Sequence, residues 1–149
     1  MFYEDFRIGQ TGDLGQTIFS REAILAYGRK FDPRVLRGAE QDAPVFASGL
    51  HVAAAGMRRL VDARSALRSE MVARGEALPE MGVSPGFKDL RWGRPVREGD
   101  AVLYSFETIS KRETSKPKWG LVGNRFRGVN QRGEEVLVFS SVVLVERRR

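Results

Sequence analysis

The sequence predicts an α+β fold in which an antiparallel sheet wraps around a long central helix. Three observations carry that reading. From Ser48 onward Leu50, Val52, Ala53, Ala54, Ala55, Gly56, Met57, Leu60 and Val61 form a nearly continuous small or apolar run, the pattern of a helix buried on most sides. Beyond Pro85 the texture changes to alternating β-branched and aromatic residues separated by turn residues. The order is a short strand, then helices, then a meander of long strands, which is an α+β arrangement.

Taken in order, Gly15–Phe19 has the β-branched and aromatic content of a short strand. Ser20 is a good helix N-cap, although Ala23 stands where a full capping box would place Glu or Gln. Ile24, Leu25, Tyr27 and Phe31 recur at helical spacing, and Asp32-Pro33 ends that helix because the residue before proline disfavours the α conformation. Arg34–Val45 reads as a loop by its Gly and Pro. The second helix starts at Ser48, and the small residues Ala53 to Gly56 imply that a sheet lies close against it. Helical character continues through ARSALRSEMVARGEAL as an amphipathic half, readable as a separate surface helix, with Pro79 as its stop. Four strands are then expected at Phe87–Trp92, Ala101–Ser110, Trp119–Val129 and Glu135–Val145, the last two joined by an Asn130–Gly133 hairpin turn. No repeat or linker divides the chain, so 1–149 is expected to be a single domain.

Composition narrows the chemistry. The chain has 149 residues, 42% hydrophobic and 30% charged, long enough to bury its own core. Its lack of cysteine excludes disulfides, thiolate catalysis and Cys-ligated zinc, and a single histidine argues against a His-rich metal site. The N-terminal MFYEDFRIGQ has no apolar core of a signal peptide, and no run approaches a membrane span, which leads to the expectation of a cytoplasmic protein. A net charge of +6 suits a polyanionic partner, either nucleic acid or the phosphates of coenzyme A. No block of five like charges occurs, so scattered, solvated arginines are the favoured reading, with Arg147–Arg149 as a frayed end.

Several stretches together resemble the MaoC-like acyl dehydratases, hotdog-fold relatives of the (R)-specific enoyl-CoA hydratases. They are Tyr3-Glu4-Asp5-Phe6 with Ile8-Gly9-Gln10, Phe31-Asp32-Pro33, Ala47-Ser48-Gly49-Leu50-His51, and Leu90-Arg91-Trp92 through Arg94-Pro95-Val96 to Gly99-Asp100. Asn130-Gln131-Arg132-Gly133-Glu134 and Glu146-Arg147-Arg148 complete the set. The resemblance covers almost the whole length. It implies a hotdog fold, a homodimer or larger assembly with subunits paired edge to edge, a trans-2-enoyl-CoA thioester as substrate, and no cofactor.

In such a reaction a thioester enolate develops, and free N–H groups at a helix start stabilise it. The resemblance assigns that role to the backbone of Gly49. It assigns Asp32 as base, matching the aspartate of an Asp-x-Asn-Pro-x-His type of motif. The motif's histidine is missing: Arg37 stands about there, and arginine, with a pKa above about 12, is no base near neutrality. His51, in the first turn of the central helix, is a structural or pocket-lining residue or else a replacement partner for Asp32. Ser48 is either the N-cap of that helix or a thioester contact. Arg37 and Arg91 are candidate substrate contacts, with Arg94 and Arg97 as further phosphate candidates if they rim a cleft.

Three other readings compete. A hotdog thioesterase would want a carboxylate early on the central helix, and none occurs there before Asp62. A catalytically silent subunit that holds an acyl chain, or completes the site of an active hotdog partner, accounts for the missing histidine. Nucleic-acid binding rests on charge alone, without a motif.

Overall fold

Residues 1–148 are described by a computed structural model. The chain enters through a one-turn 3-10 helix, Tyr3–Asp5, into strand β1 (Thr11–Ile18) and helix α1 (Arg21–Phe31). A second 3-10 turn, Pro33–Val35, runs into the short helix α2 (Leu36–Glu40). The long helix α3 (Gly49–Ala73) is followed by β2 (Gly86–Arg91), β3 (Ala101–Glu113), β4 (Trp119–Asn130) and β5 (Glu135–Glu146). The five strands form one antiparallel sheet in the order β1-β3-β4-β5-β2. This is the expected α+β arrangement.

Ser20 caps α1 as its sequence position suggests, its hydroxyl accepting from the Ala23 N–H at 3.1 Å, an interaction worth about 1 kcal/mol. The expected loop after Pro33 is instead helical over most of its length. Val35 packs back on Gly28, where an added Cβ would lie 3.1 Å from the Val35 Cβ. That contact coils the segment tightly enough to form one more turn.

Helix α3 is one continuous element, with no break before its amphipathic half. It ends at Ala73, well before Pro79. Gly75 adopts φ +68° and donates to the Val72 carbonyl, and Glu76 donates to that of Met71. These two bonds make a Schellman stop, which a glycine enters without steric cost.

The helix lies close to the sheet at Gly56, where a Cβ would sit 2.9 Å from the Tyr104 ring. The Tyr104 hydroxyl donates to the Val52 carbonyl at 2.7 Å, so this buried polar group is satisfied. Around that contact Leu14, Phe19, Ile24, Val52, Leu60 and Val102 form the main core. The helix is not buried on most sides, however. Leu50, Ala54, Met57 and Val61, spaced along one stripe, remain exposed in the single chain.

The C-terminal arginines are held down, contrary to the expected frayed end. Arg147 pairs with Glu113 at 2.9 Å, and Arg148 donates to Asp5 at 2.9 Å. Arg149 lies outside the described residues.

Candidate active site

Two backbone devices bring the end of α1 to the start of α3. Asp32 closes α1, its N–H bonded to the Gly28 carbonyl, and Pro33 turns the chain away. Further on, residues 45–47 are pinned beside residues 96–98: Glu98 donates to the Val45 carbonyl at 3.0 Å and Ala47 to that of Val96 at 2.8 Å. Arg21 reinforces this clamp by reaching both the Ala43 carbonyl and the Glu98 carboxylate. Ser48 is thereby delivered to the Asp32 side chain.

The Asp32 side chain is only 12% exposed and takes a two-pronged grip from Arg34, whose Nε and Nη2 donate to its two oxygens at 2.7 and 3.0 Å. The Arg34 guanidinium beside it, and then the Ser48 hydroxyl, hold the carboxyl below the usual aspartate range against an opposing effect of burial. Asp32 is therefore ionised at neutral pH.

Ser48 stands at the N-cap position of α3, but its hydroxyl makes no capping bond, a correction to the capping expectation. It lies beside Asp32 instead. The first amide committed to the helix is that of Val52, bonded to the Ser48 carbonyl at 3.1 Å. The N–H groups of Gly49, Leu50 and His51 are thus left without a side-chain cap, at the positive end of a 25-residue helix and close to a carboxylate.

The space beside Gly49 is filled by the protein itself. The Trp92 indole nitrogen donates to the Gly49 carbonyl at 2.8 Å, and a Cβ on Gly49 would lie 2.6 Å from that ring. The glycine is required by the indole. Trp92, which the sequence places only at the end of a strand, stands exposed at the site.

His51 stacks on the Tyr27 ring, with centroids 4.5 Å apart and planes within 2°, and meets the edge of Phe19. Its Nδ1 is buried without a hydrogen-bond partner among the described residues, and burial pushes its pKa down. It makes no hydrogen bond to Asp32 among the described residues. Arg37 is exposed on α2 and Arg91 at the end of β2, and neither forms an ion pair among the described residues. Arg94 approaches Glu134 at 3.7 Å, while Arg97 contributes a backbone N–H to Asp100. The structure thus brings together Asp32, Ser48 and Gly49. Sequence reasoning missed Arg34, for which the only signal was an arginine two residues beyond Asp32.

Among the described residues no group of three potential ligands could hold a metal ion, and no helix is long and apolar enough to cross a membrane.

No protein-family model matches the chain. A mesaconyl-CoA hydratase from Cereibacter sphaeroides is 27% identical over 153 residues, covering 99% of this chain and 41% of the relative. The chain therefore spans about two fifths of that relative's length. The crystal structure of a MaoC-like dehydratase from Rhodospirillum rubrum superposes with a TM-score of 0.78 at 27% identity, covering 100% of this chain and 99% of the other. A 3R-hydroxyacyl-ACP dehydratase complex from Mycobacterium tuberculosis is similar in fold, with a TM-score of 0.64 at 16% identity over 92% of this chain and 96% of that one. With the sheet wrapped on α3 and the likeness running from end to end, the chain has the hotdog fold and is similar over its whole length to the MaoC-like dehydratases.

Proposed function

We propose that the start of α3 binds the thioester carbonyl of a trans-2-enoyl-CoA and that Asp32 catalyses addition of water across its double bond, or the reverse dehydration. The observation that carries this reading is an ionised carboxylate next to Ser48, at the uncapped start of α3. In the hydration direction Asp32 removes a proton from water as the water oxygen bonds to C3. The electron pair of the double bond moves toward the thioester oxygen, where the Gly49 amide and the helix terminus stabilise the enolate. The protonated Asp32 then returns its proton to C2, so water is added and the base regenerated. Arg37 and Arg91, both without ion-pair partners among the described residues, are assigned to the coenzyme A phosphates.

The exposed stripe Leu50, Ala54, Met57 and Val61 supports a homodimer or larger assembly, because apolar surface aligned on one helix face gains by being covered. The two-fifths coverage of the hydratase relative also supports assembly, since a second copy or a different hotdog chain would supply the remaining length.

A second reading is favoured by the Arg34 grip: a carboxylate held on both oxygens is a weak base, and no second base is bonded to it among the described residues. On that reading the chain is a silent acyl-binding or assembly subunit of an active hotdog partner. Crotonyl-CoA and mesaconyl-CoA separate the two. Hydration by the purified chain, lost in Asp32→Asn, supports the enzyme. Saturable binding with no turnover rejects it in favour of the silent subunit.

A further inference from the structure

A second, unassigned site lies against the far half of α3. A cavity of about 260 Å³ opens there between α3, strands β3 and β4, and the 78–81 segment. Its apolar walls include Leu60, Leu67, Phe106 and Phe126. Fifteen residues of helix separate Gly49 from Arg64 on its lining, roughly 22 Å at 1.5 Å per residue. Between the two ends Tyr104 closes the helix onto the sheet, its ring against Gly56 and its hydroxyl on the Val52 carbonyl. The cavity is therefore separate from the thioester site.

The polar groups of the cavity share one character. Asn124 on its floor is only 5% exposed. Its Oδ1 accepts from the Thr108 hydroxyl at 3.0 Å, while its amide NH2 has no hydrogen bond among the described residues. The opposite amide orientation would leave the buried Thr108 proton without an acceptor, so the free group is a donor. Arg64 and Arg68 line the same space, and neither has an ion-pair partner among the described residues. Both arginines are exposed at the mouth. Among the described residues no carboxylate side chain lines the cavity. A free amide donor and two arginines without ion-pair partners around an apolar space suit a ligand that brings acceptors and negative charge.

We propose that this cavity binds an aliphatic carboxylate of about six to eight carbons, the size set by roughly 30 Å³ per water-sized group. Its anion is neutralised by Arg64 and Arg68, an oxygen accepts from the Asn124 amide, and its chain lies on the apolar walls.

Isothermal titration of the full chain with sodium octanoate, octan-1-ol, octylamine and inorganic phosphate tests this. One octanoate per chain is expected, with octanol much weaker and octylamine and phosphate silent. The double variant Arg64→Gln/Arg68→Gln should weaken octanoate by about tenfold or more, the size of lost charge-assisted bonds. Asn124→Asp, which replaces the free donor by a charge of the wrong sign, should abolish binding. Leu67→Trp, a change at the rim, should block the space. Octanoate binding that ignores the double variant and Leu67→Trp overturns the proposal, as does no binding at all, or equal binding of octanol. Crotonyl-CoA hydration followed in the double variant is an independent readout, expected unchanged because neither arginine belongs to the thioester site.

Discussion

The Trp92 indole donates to the Gly49 carbonyl at 2.8 Å, and its ring occupies the space that a side chain at residue 49 would need. Gly49→Ala would place a Cβ 2.6 Å from a rigid ring and push apart the start of α3 and the end of β2. The expected cost is about 1–3 kcal/mol, typical of overpacking, together with loss of hydration. Trp92→Ala opens the space. In a double-mutant cycle by chemical denaturation the Gly49→Ala penalty should shrink in the Trp92→Ala background by more than about 0.5 kcal/mol. Strict additivity would show that the two residues do not compete for the same volume.

Asp32 and Arg34 make a prediction about pH. Because Arg34 keeps the carboxyl below the usual aspartate range, Asp32 remains a base at pH values where an ordinary aspartate is protonated. The acid limb of kcat/KM for crotonyl-CoA should lie correspondingly low. Arg34→Ala removes the grip, so the limb should move up toward the ordinary aspartate value, and Asp32→Asn should lower the rate about a hundredfold or more. Superimposable profiles for wild type and Arg34→Ala would exclude Asp32 as the titrating base.

The fold and half of the site are legible in the sequence for a physical reason. Periodicity and capping are local, so the Ser20 cap, the end of α1 at Asp32-Pro33 and the long strands follow from neighbouring residues. The small run Ala53–Gly56 announces its close contact with the sheet, made by Tyr104. What is missed depends on distant partners. The stop at Gly75 loses to the louder signal of Pro79, because a positive φ is set by a local bonding pattern that several residue types can precede. Ser48 reads as a cap until Asp32, sixteen positions earlier, is seen beside its hydroxyl while the cap bond is absent. The exposed stripe on α3 reads as core because apolar residues left at a surface look the same in sequence as those that fill an interior.

Asp100 ties the turn before β3 to the β4–β5 hairpin. Almost fully buried, it accepts from the Arg97 N–H at 2.9 Å, from Gln131 Nε2 at 2.7 Å and from Arg132 Nη1 at 3.1 Å. These donors hold its pKa down against burial. Asp100→Asn turns one acceptor into a donor facing donors and should cost about 1–3 kcal/mol near pH 7. A depressed folded-state pKa contributes stability above the unfolded value, and that contribution is lost as pH falls through the folded value. Urea denaturation should therefore show the gap between wild type and variant narrowing as pH falls below the unfolded value of about 3.9. A gap that stays constant with pH would mean that the carboxylate charge is not what holds the turn.

Met57 lies at the centre of the exposed stripe on α3, between Ala54 and Val61. If that stripe covers a second copy, Met57→Glu buries a charge in the interface and should convert the dimer or larger species to monomer in sedimentation velocity. Its side chain is more than half exposed, so the fold, followed by circular dichroism, should persist. An unchanged sedimentation coefficient would place the interface elsewhere.

His51 separates a packing role from a catalytic one. Its ring is stacked on Tyr27 with Nδ1 unpartnered, and burial lowers its pKa, so the folded chain binds a proton there less readily than the unfolded chain does. Stability from this group is therefore complete above the unfolded value of about 6.5 and declines as pH falls below it. His51→Phe keeps an aromatic ring between Tyr27 and Phe19 and removes the titration. The variant should lose less stability than wild type between about pH 7 and about pH 5, and at neutral pH should match or exceed it by roughly 1 kcal/mol, the orphaned nitrogen being gone. Hydration of crotonyl-CoA should survive, since the imidazole makes no hydrogen bond to Asp32. A loss of rate as deep as that of Asp32→Asn, with stability intact, would instead make His51 the base that replaces the one missing at Arg37.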